Sequence, residues 1–356
     1  MDRGTALVDH AIHTSIRGPM GTGYRLTAVS PGVGRDDQRE IVRRAPSHGN
    51  LCGEDEDAEG FAAFPLTGGR CALFLSRHAG REPTARGGLR VLTRVFILDD
   101  DLQRRLTYDP FRARRVLMDR PGLRPTDPTT GRLAPLSVTD EELRRSADRP
   151  AARLKRSLTQ VPTLLNLLSA ILHRRRTLLP EGDASIELME AAVAAAPAGL
   201  RRGLSFTCGM RHAPQRDADI LCLDAGGAEL EALQNDRGYA VLDRAGFTAG
   251  GGEFDPWLNL ARRCWTLGRA GGLHEAADDL LDESMPESLK RISALLMKLD
   301  EVDAADLPRL ENLIRFAAEA EPLGAVEDRL RTRLLDRAAR RKSALLAEEA
   351  PTIVNI

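Results

Sequence analysis

The spacing of hydrophobic positions changes its period along the chain, and that change divides it. Up to about residue 108 the pattern is mostly twofold. Residues 11–16 (Ala-Ile-His-Thr-Ser-Ile) and 24–30 alternate as half-buried strands do. The run Gly18-Pro19-Met20-Gly21-Thr22-Gly23 separates them as a turn. Residues 36–44 predict a short polar helix with Ile41 and Val42 facing inward. Residues 60–66 and 70–76 are β-prone runs flanking Thr67-Gly68-Gly69, which predicts a hairpin. Residues 89–98, rich in Val, Leu, Ile and Phe, predict a buried strand. Asp99-Asp100-Asp101 then offers an N-cap for a short helix.

From 109 to 150 prolines at 110, 121, 125, 128 and 135 forbid a long helix, so this segment reads as a linker or loop-rich bridge. Residues 151–250 predict a second, smaller α/β module, with helices over 163–173 and 183–196 and strands near 176–179, 204–208 and 218–223. From 251 onward the period becomes helical: 254–269, 273–282, 286–299, 306–320 and 325–348 each place apolar residues three and four apart. The expected fold class is therefore α+β, with a mixed α/β module at 1–108, a middle α/β module and an all-helical C-terminal third. Five helices with short breaks predict an antiparallel array. No fixed repeat is visible, which argues against a solenoid.

Composition narrows the picture without redirecting it. With 42% apolar and 29% charged residues the chain is globular. Aromatics are only 4%, so the cores rest on Leu, Val and Ala. A net charge of −1 points to neither nucleic acid nor an anionic membrane as partner. No apolar run is long enough to span a bilayer and no signal-peptide core is present, so the expectation is a cytoplasmic protein without membrane insertion. The five cysteines are odd in number and scattered, which predicts free thiols.

Candidate chemistry gathers in the first module. Gly18 to Gly23 lacks the Lys-Ser/Thr ending of a phosphate loop and no helix follows it, so it reads as a turn. Ser47, His48 and Cys52 bring a hydroxyl, an imidazole and a thiol close in sequence, although a nucleophile–base pair is usually assembled from distant segments. Arg77, His78 and Arg86 follow a strand and are suited to a carboxylate or phosphate. Together with Arg17, Ser47 and His48 they are the candidate partner- or ligand-binding residues. Cys208, His212 and Cys222 fall one ligand short of a structural zinc site, and the two cysteines read instead as core residues on adjacent strands. The acidic run 54–59 lacks calcium-loop spacing. No cofactor or metal is expected, and no catalytic residue is assigned.

Three blocks carry a resemblance: residues 12–19 (Ile-His-Thr-Ser-Ile-Arg-Gly-Pro), 45–49 (Ala-Pro-Ser-His-Gly), and 76–80 with Gly87-Gly88. In this order they resemble the N-terminal domain of the bacterial GTPase-associated protein family. Residues 200–207 (Leu-Arg-Arg-Gly-Leu-Ser-Phe-Thr) are similar to that family's middle domain, and the helical end resembles a shortened part of its C-terminal region. The resemblance implies a GTPase as protein partner, encoded nearby, and a role as adaptor or regulator in a bacterial conflict or signalling system. It carries over no catalytic residue. Two other readings stay open: a hydrolase-like enzyme using Arg17, His48, Arg77 and His78, and a GTPase-activating partner supplying Arg77 or Arg86 as an arginine finger.

Overall fold

A computed structural model describes residues 5–18, 21–83, 87–118, 130–147, 160–180, 185–223, 227–242, 252–281, 286–319, 321 and 324–349. The chain is α+β and forms two compact units, 1–247 and 248–356.

The first unit is built on an eleven-stranded sheet. Strands β1 (Thr5–Gly18), β2 (Gly21–Val29), β3 (Glu59–Pro65), β4 (Cys71–Arg81) and β5 (Leu89–Leu98) form its antiparallel half, in the order β3-β4-β5-β1-β2. The apolar alternation read from the sequence overlaps each of these strands. β4, however, runs past the expected hairpin end at residue 76 to Arg81. It does so because β5 continues to pair with it, from Cys71↔Leu98 to Arg81↔Leu89, across an irregularity after His78. The stretch around Arg77 and His78 is therefore strand rather than loop.

The bridging segment supplies short elements of its own. Helices α2 (Asp100–Arg105) and α3 (Pro110–Met118) follow β5. Strand β6 (Gly131–Arg132) then pairs with β2, and β7 (Leu136–Thr139) pairs with the start of β1. Helix α4 (Asp140–Arg145) follows, started by Thr139 and Glu142 in a reciprocal cap. Pro110 is tolerated in α3 because the first turn has no intrahelical use for its missing N–H.

The middle segment extends the same sheet. β8 (Thr177–Leu179), β9 (Phe206–Cys208), β10 (Ile220–Cys222) and β11 (Ala240–Val241) are parallel to one another, in the order β11-β8-β10-β9. Helix α5 (Val161–Leu172) precedes β8, helices α6 (Ser185–Ala195) and α7 (Ala198–Arg201) lie between β8 and β9, and α8 (Gly227–Arg237) lies between β10 and β11. Strands β8, β9 and β10 are short and buried at every residue, as expected for strands covered on both faces. β9 then joins β3 antiparallel through Phe61↔Cys208, Ala62↔Thr207 and Ala63↔Phe206. Phe61, Phe111 and Phe206 close over this seam with ring centroids 5.1–5.4 Å apart. Gly209 sits beside it at φ 68°, where an added Cβ would meet the Glu59 carbonyl oxygen at 2.3 Å.

One face of the sheet is covered by α1 (Arg35–Arg44) and the loop after it. Ala62, Phe74, Val91, Val95, Ile41, Leu51, Met210 and Leu221 share that core. On the opposite face Ile12, Ala28, Ala79 and Leu92 pack together. Cys208 and Cys222 are directly paired, buried and free, the arrangement the sequence suggests. Among the described residues no group of His, Cys, Asp and Glu side chains could hold a metal ion.

The second unit is helical: α9 (Asp255–Thr266), α10 (Ala270–Asp279), α11 (Pro286–Glu301), α12 (Leu307–Glu319) and α13 (Ala325–Glu349). Leu295, Leu299, Leu310, Leu313, Leu334 and Ala338 make one shared core. Trp257 and Trp265 of α9 are fully buried. No helix among the described residues is long and apolar enough to cross a membrane.

Candidate functional site

The polar residues singled out by the sequence converge in part at one end of the antiparallel half-sheet. Direct cross-strand partners share a face, so the register sorts them. His78 pairs with Val91, which belongs to the face covered by α1; Arg77 pairs with Leu92, which belongs to the opposite face. Arg77 stands there beside Arg94, whose pKa is lowered by burial and by the Arg77 charge. Arg17 lies on β1 in step with His13 and Ser15 and is exposed. Its Nε donates to the Pro83 carbonyl at 3.3 Å. Arg86 lies outside the described residues.

Ser47 and His48 belong to the loop that follows α1. The Ser47 hydroxyl and backbone N–H both donate to Asn50 Oδ1, at 3.2 and 3.1 Å, so the hydroxyl holds its own turn. His48 lies against Gly88, where an added Cβ would come within 2.6 Å of its ring, and its Nδ1 donates to the Leu89 carbonyl. His78 Nδ1 donates to the Asp55 carbonyl at 2.7 Å. The loop is tied to the middle segment as well: Cys52 N–H donates to Gly209 O, Arg211 N–H to Asn50 O, and Leu51 bridges to Met210. Both histidines thus pin the loop 45–58 to the sheet. Arg17 and His78 share the covered face with this loop, and Arg77 does not.

The same face holds a buried polar cluster that sequence reasoning missed. Ser15 Oγ donates to Glu82 Oε1 at 2.6 Å. Tyr24, the cross-strand partner of Ser15, accepts at its hydroxyl from Val91 N–H at 3.0 Å. Burial, joined by the neighbouring Glu82 carboxylate, raises the Tyr24 phenol. His13 stacks on Tyr24 with centroids 5.8 Å apart. Burial alone drops the His13 imidazole to about 4, so it is neutral at pH 7. Ser76 and Thr93 share a hydrogen bond of 2.8 Å next to it. Among the described residues, His13 Nδ1 and Glu82 Oε2 have no hydrogen-bond partner. The signal available in advance was slight: Glu82 follows the strand in sequence, and only the β4–β5 irregularity turns it inward beside β1.

Chemically, the cluster presents an acceptor in Glu82 and a neutral imidazole. Ser15 donates to the carboxylate and not to a histidine, and Ser47 donates to an amide oxygen. Neither serine is engaged as a nucleophile with a base.

Residues 7–138 match the family model described as GTPase-associated protein 1, N-terminal domain type 2. That span runs from within β1 to within β7 and includes Arg17, Ser47, His48, Arg77, His78 and Arg86. Neither the curated proteins nor the solved structures contain a match to the chain.

Proposed function

We propose that the chain is a non-enzymatic adaptor or regulator that binds a GTPase, a reading that rests on the match of residues 7–138 to the N-terminal domain of a GTPase-associated protein. Its setting would be a bacterial conflict or signalling system, with the GTPase encoded nearby. The family match carries this reading. The way these residues are used, Ser47 holding its own turn and His48 and His78 fixing the loop to the sheet, supports a docking scaffold over a hydrolytic centre.

The test is direct association. The full chain is mixed at micromolar concentration with the GTPase of the adjacent gene, loaded with GDP or with a non-hydrolysable GTP analogue. A complex by size-exclusion chromatography and calorimetry in at least one nucleotide state is expected. No association in either state sinks the reading. The finger alternative is separated by GTP turnover. If the chain accelerates hydrolysis, and the Arg77→Ala, Arg86→Ala double variant loses that stimulation, an arginine supplied in trans replaces the plain adaptor.

A further inference from the structure

On the face of the sheet away from α1, a cavity of about 140 Å³ opens between β3, β4, α2 and the turn that leads into β9. Its floor is carbon: Ala63, Leu66, Leu73, Leu98, Leu106 and Leu204. Its wall is the turn from α2 to α3, where Thr107 and Tyr108 both adopt left-handed backbone angles, φ 53° and 52°. A β-branched residue rarely sits there, and such strain gathers at ligand clamps. Arg201, 2% exposed, holds the turn by donating to the Thr107 carbonyl and hydroxyl, both at 3.2 Å. Its other donors go to Ala194 O and Ala196 O, so it bridges the wall to the middle segment.

The rim settles the ligand's charge. Arg70 donates through both terminal nitrogens to the Asp37 carboxylate, at 2.8 and 2.9 Å. Arg202 donates through one nitrogen to Asp100 at 3.0 Å, and its guanidinium lies 5.6 Å from the Tyr108 ring centroid. Each rim cation already faces an aspartate, and an ion entering over an apolar floor would lose hydration without a counter-charge. Arg202 remains 58% exposed, and among the described residues its other N–H groups meet no acceptor. An apolar cavity of about 150 Å³ in another protein admits benzene, so this one has room for a single ring.

From this geometry we propose that the cleft is a binding site for an uncharged, planar, ring-sized molecule carrying one hydrogen-bond acceptor. The ring rests on the leucine floor and the acceptor takes a hydrogen bond from Arg202. This site lies apart from the polar cluster under α1 and does not depend on GTPase binding.

Methyl-labelled full-length protein titrated with benzamide, toluene and benzoate tests it. Benzamide is expected to shift the methyl signals of Leu66, Leu73, Leu98 and Leu204. Arg202→Ala, at an exposed position, should weaken benzamide about tenfold and leave toluene unchanged. Ala63→Leu, which fills the floor, should abolish both. The proposal is overturned if benzamide moves none of these methyls up to its solubility limit, or if Arg202→Ala leaves its affinity intact. It is equally overturned if benzoate binds tenfold tighter than benzamide, which would make the site one for anions. Should Ala63→Leu fail to fold, the Arg202→Ala comparison still decides.

Discussion

His13 and Asp37 are both buried on the same face of the sheet, but Asp37 has hydrogen-bond partners for both carboxylate oxygens and His13 Nδ1 has none among the described residues. His13 stays neutral, its pKa lowered to about 4 by desolvation. A depressed folded pKa means that the unfolded chain binds the proton more readily. Stability is therefore complete above the unfolded value of about 6.5 and falls as pH drops toward 4. Between pH 7 and pH 5 the loss from this one group is about 2 kcal/mol. His13→Phe keeps a ring against Tyr24 and should flatten that part of the pH dependence. Urea unfolding at the two pH values, compared between wild type and variant, measures it. Asp37, 3% exposed, accepts both terminal nitrogens of Arg70 and also the Gly34 N–H at 3.1 Å. Asp37→Ala leaves a guanidinium and an N–H without their acceptor, and should cost roughly 2 kcal/mol in the same assay. At this scale the sequence named residue types well and partners poorly. Ser47, His48 and His78 were legible as polar loop and strand-end residues, yet their acceptors are an amide in the same turn, a carbonyl on β5 and a carbonyl of the loop, which only the fold brings to them.

Elements were easier to read than their joints. The long helices and β5 fall where the period puts them, within a few residues, because period reports burial directly, whereas β1 starts at Thr5, well ahead of the alternation read over 11–16. Residues 110–118 and 227–237 were missed as helices. The first begins on a proline, and the second has a weak apolar stripe in which Leu233 is the buried residue. The seam between β3 and β9 had no local signal. Gly209→Ala tests it, since the new Cβ would press on the Glu59 carbonyl at a left-handed position. A loss of about 3 kcal/mol is expected, read by thermal and urea denaturation. The turn at Thr107 and Tyr108 makes a second case. Left-handed strain there costs about 1–3 kcal/mol per residue and persists because Arg201 grips it. Arg201→Met should release several buried carbonyls and destabilise by about 3 kcal/mol.

For the molecule as a whole, the sheet sets what can be cut. A chain of residues 1–247 is expected to unfold cooperatively by itself, and so is 248–356, since each is a compact unit. A chain ending at residue 150 loses β9, which leaves β3 as a bare edge and removes Phe206 from the cluster with Phe61 and Phe111. It should be aggregated or molten by circular dichroism and light scattering. A cooperative transition for 1–150 would show that the seam is dispensable.

What the sequence determined by itself is the α+β class, the change to a helical final third, the free buried cysteines and the resemblance that the family match supports over residues 7–138. All of these follow from residue type and short-range spacing, which local sterics and burial translate into structure. Tertiary structure decided the rest. It set Arg77 on one face and His78 on the other, turned Glu82 inward to Ser15, and joined β3 to β9 from a distance of some 145 residues along the chain. It also built the cleft beneath Tyr108. Those outcomes depend on register and on pairings between distant strands, which loop closure permits at many lengths and which no short stretch of sequence encodes.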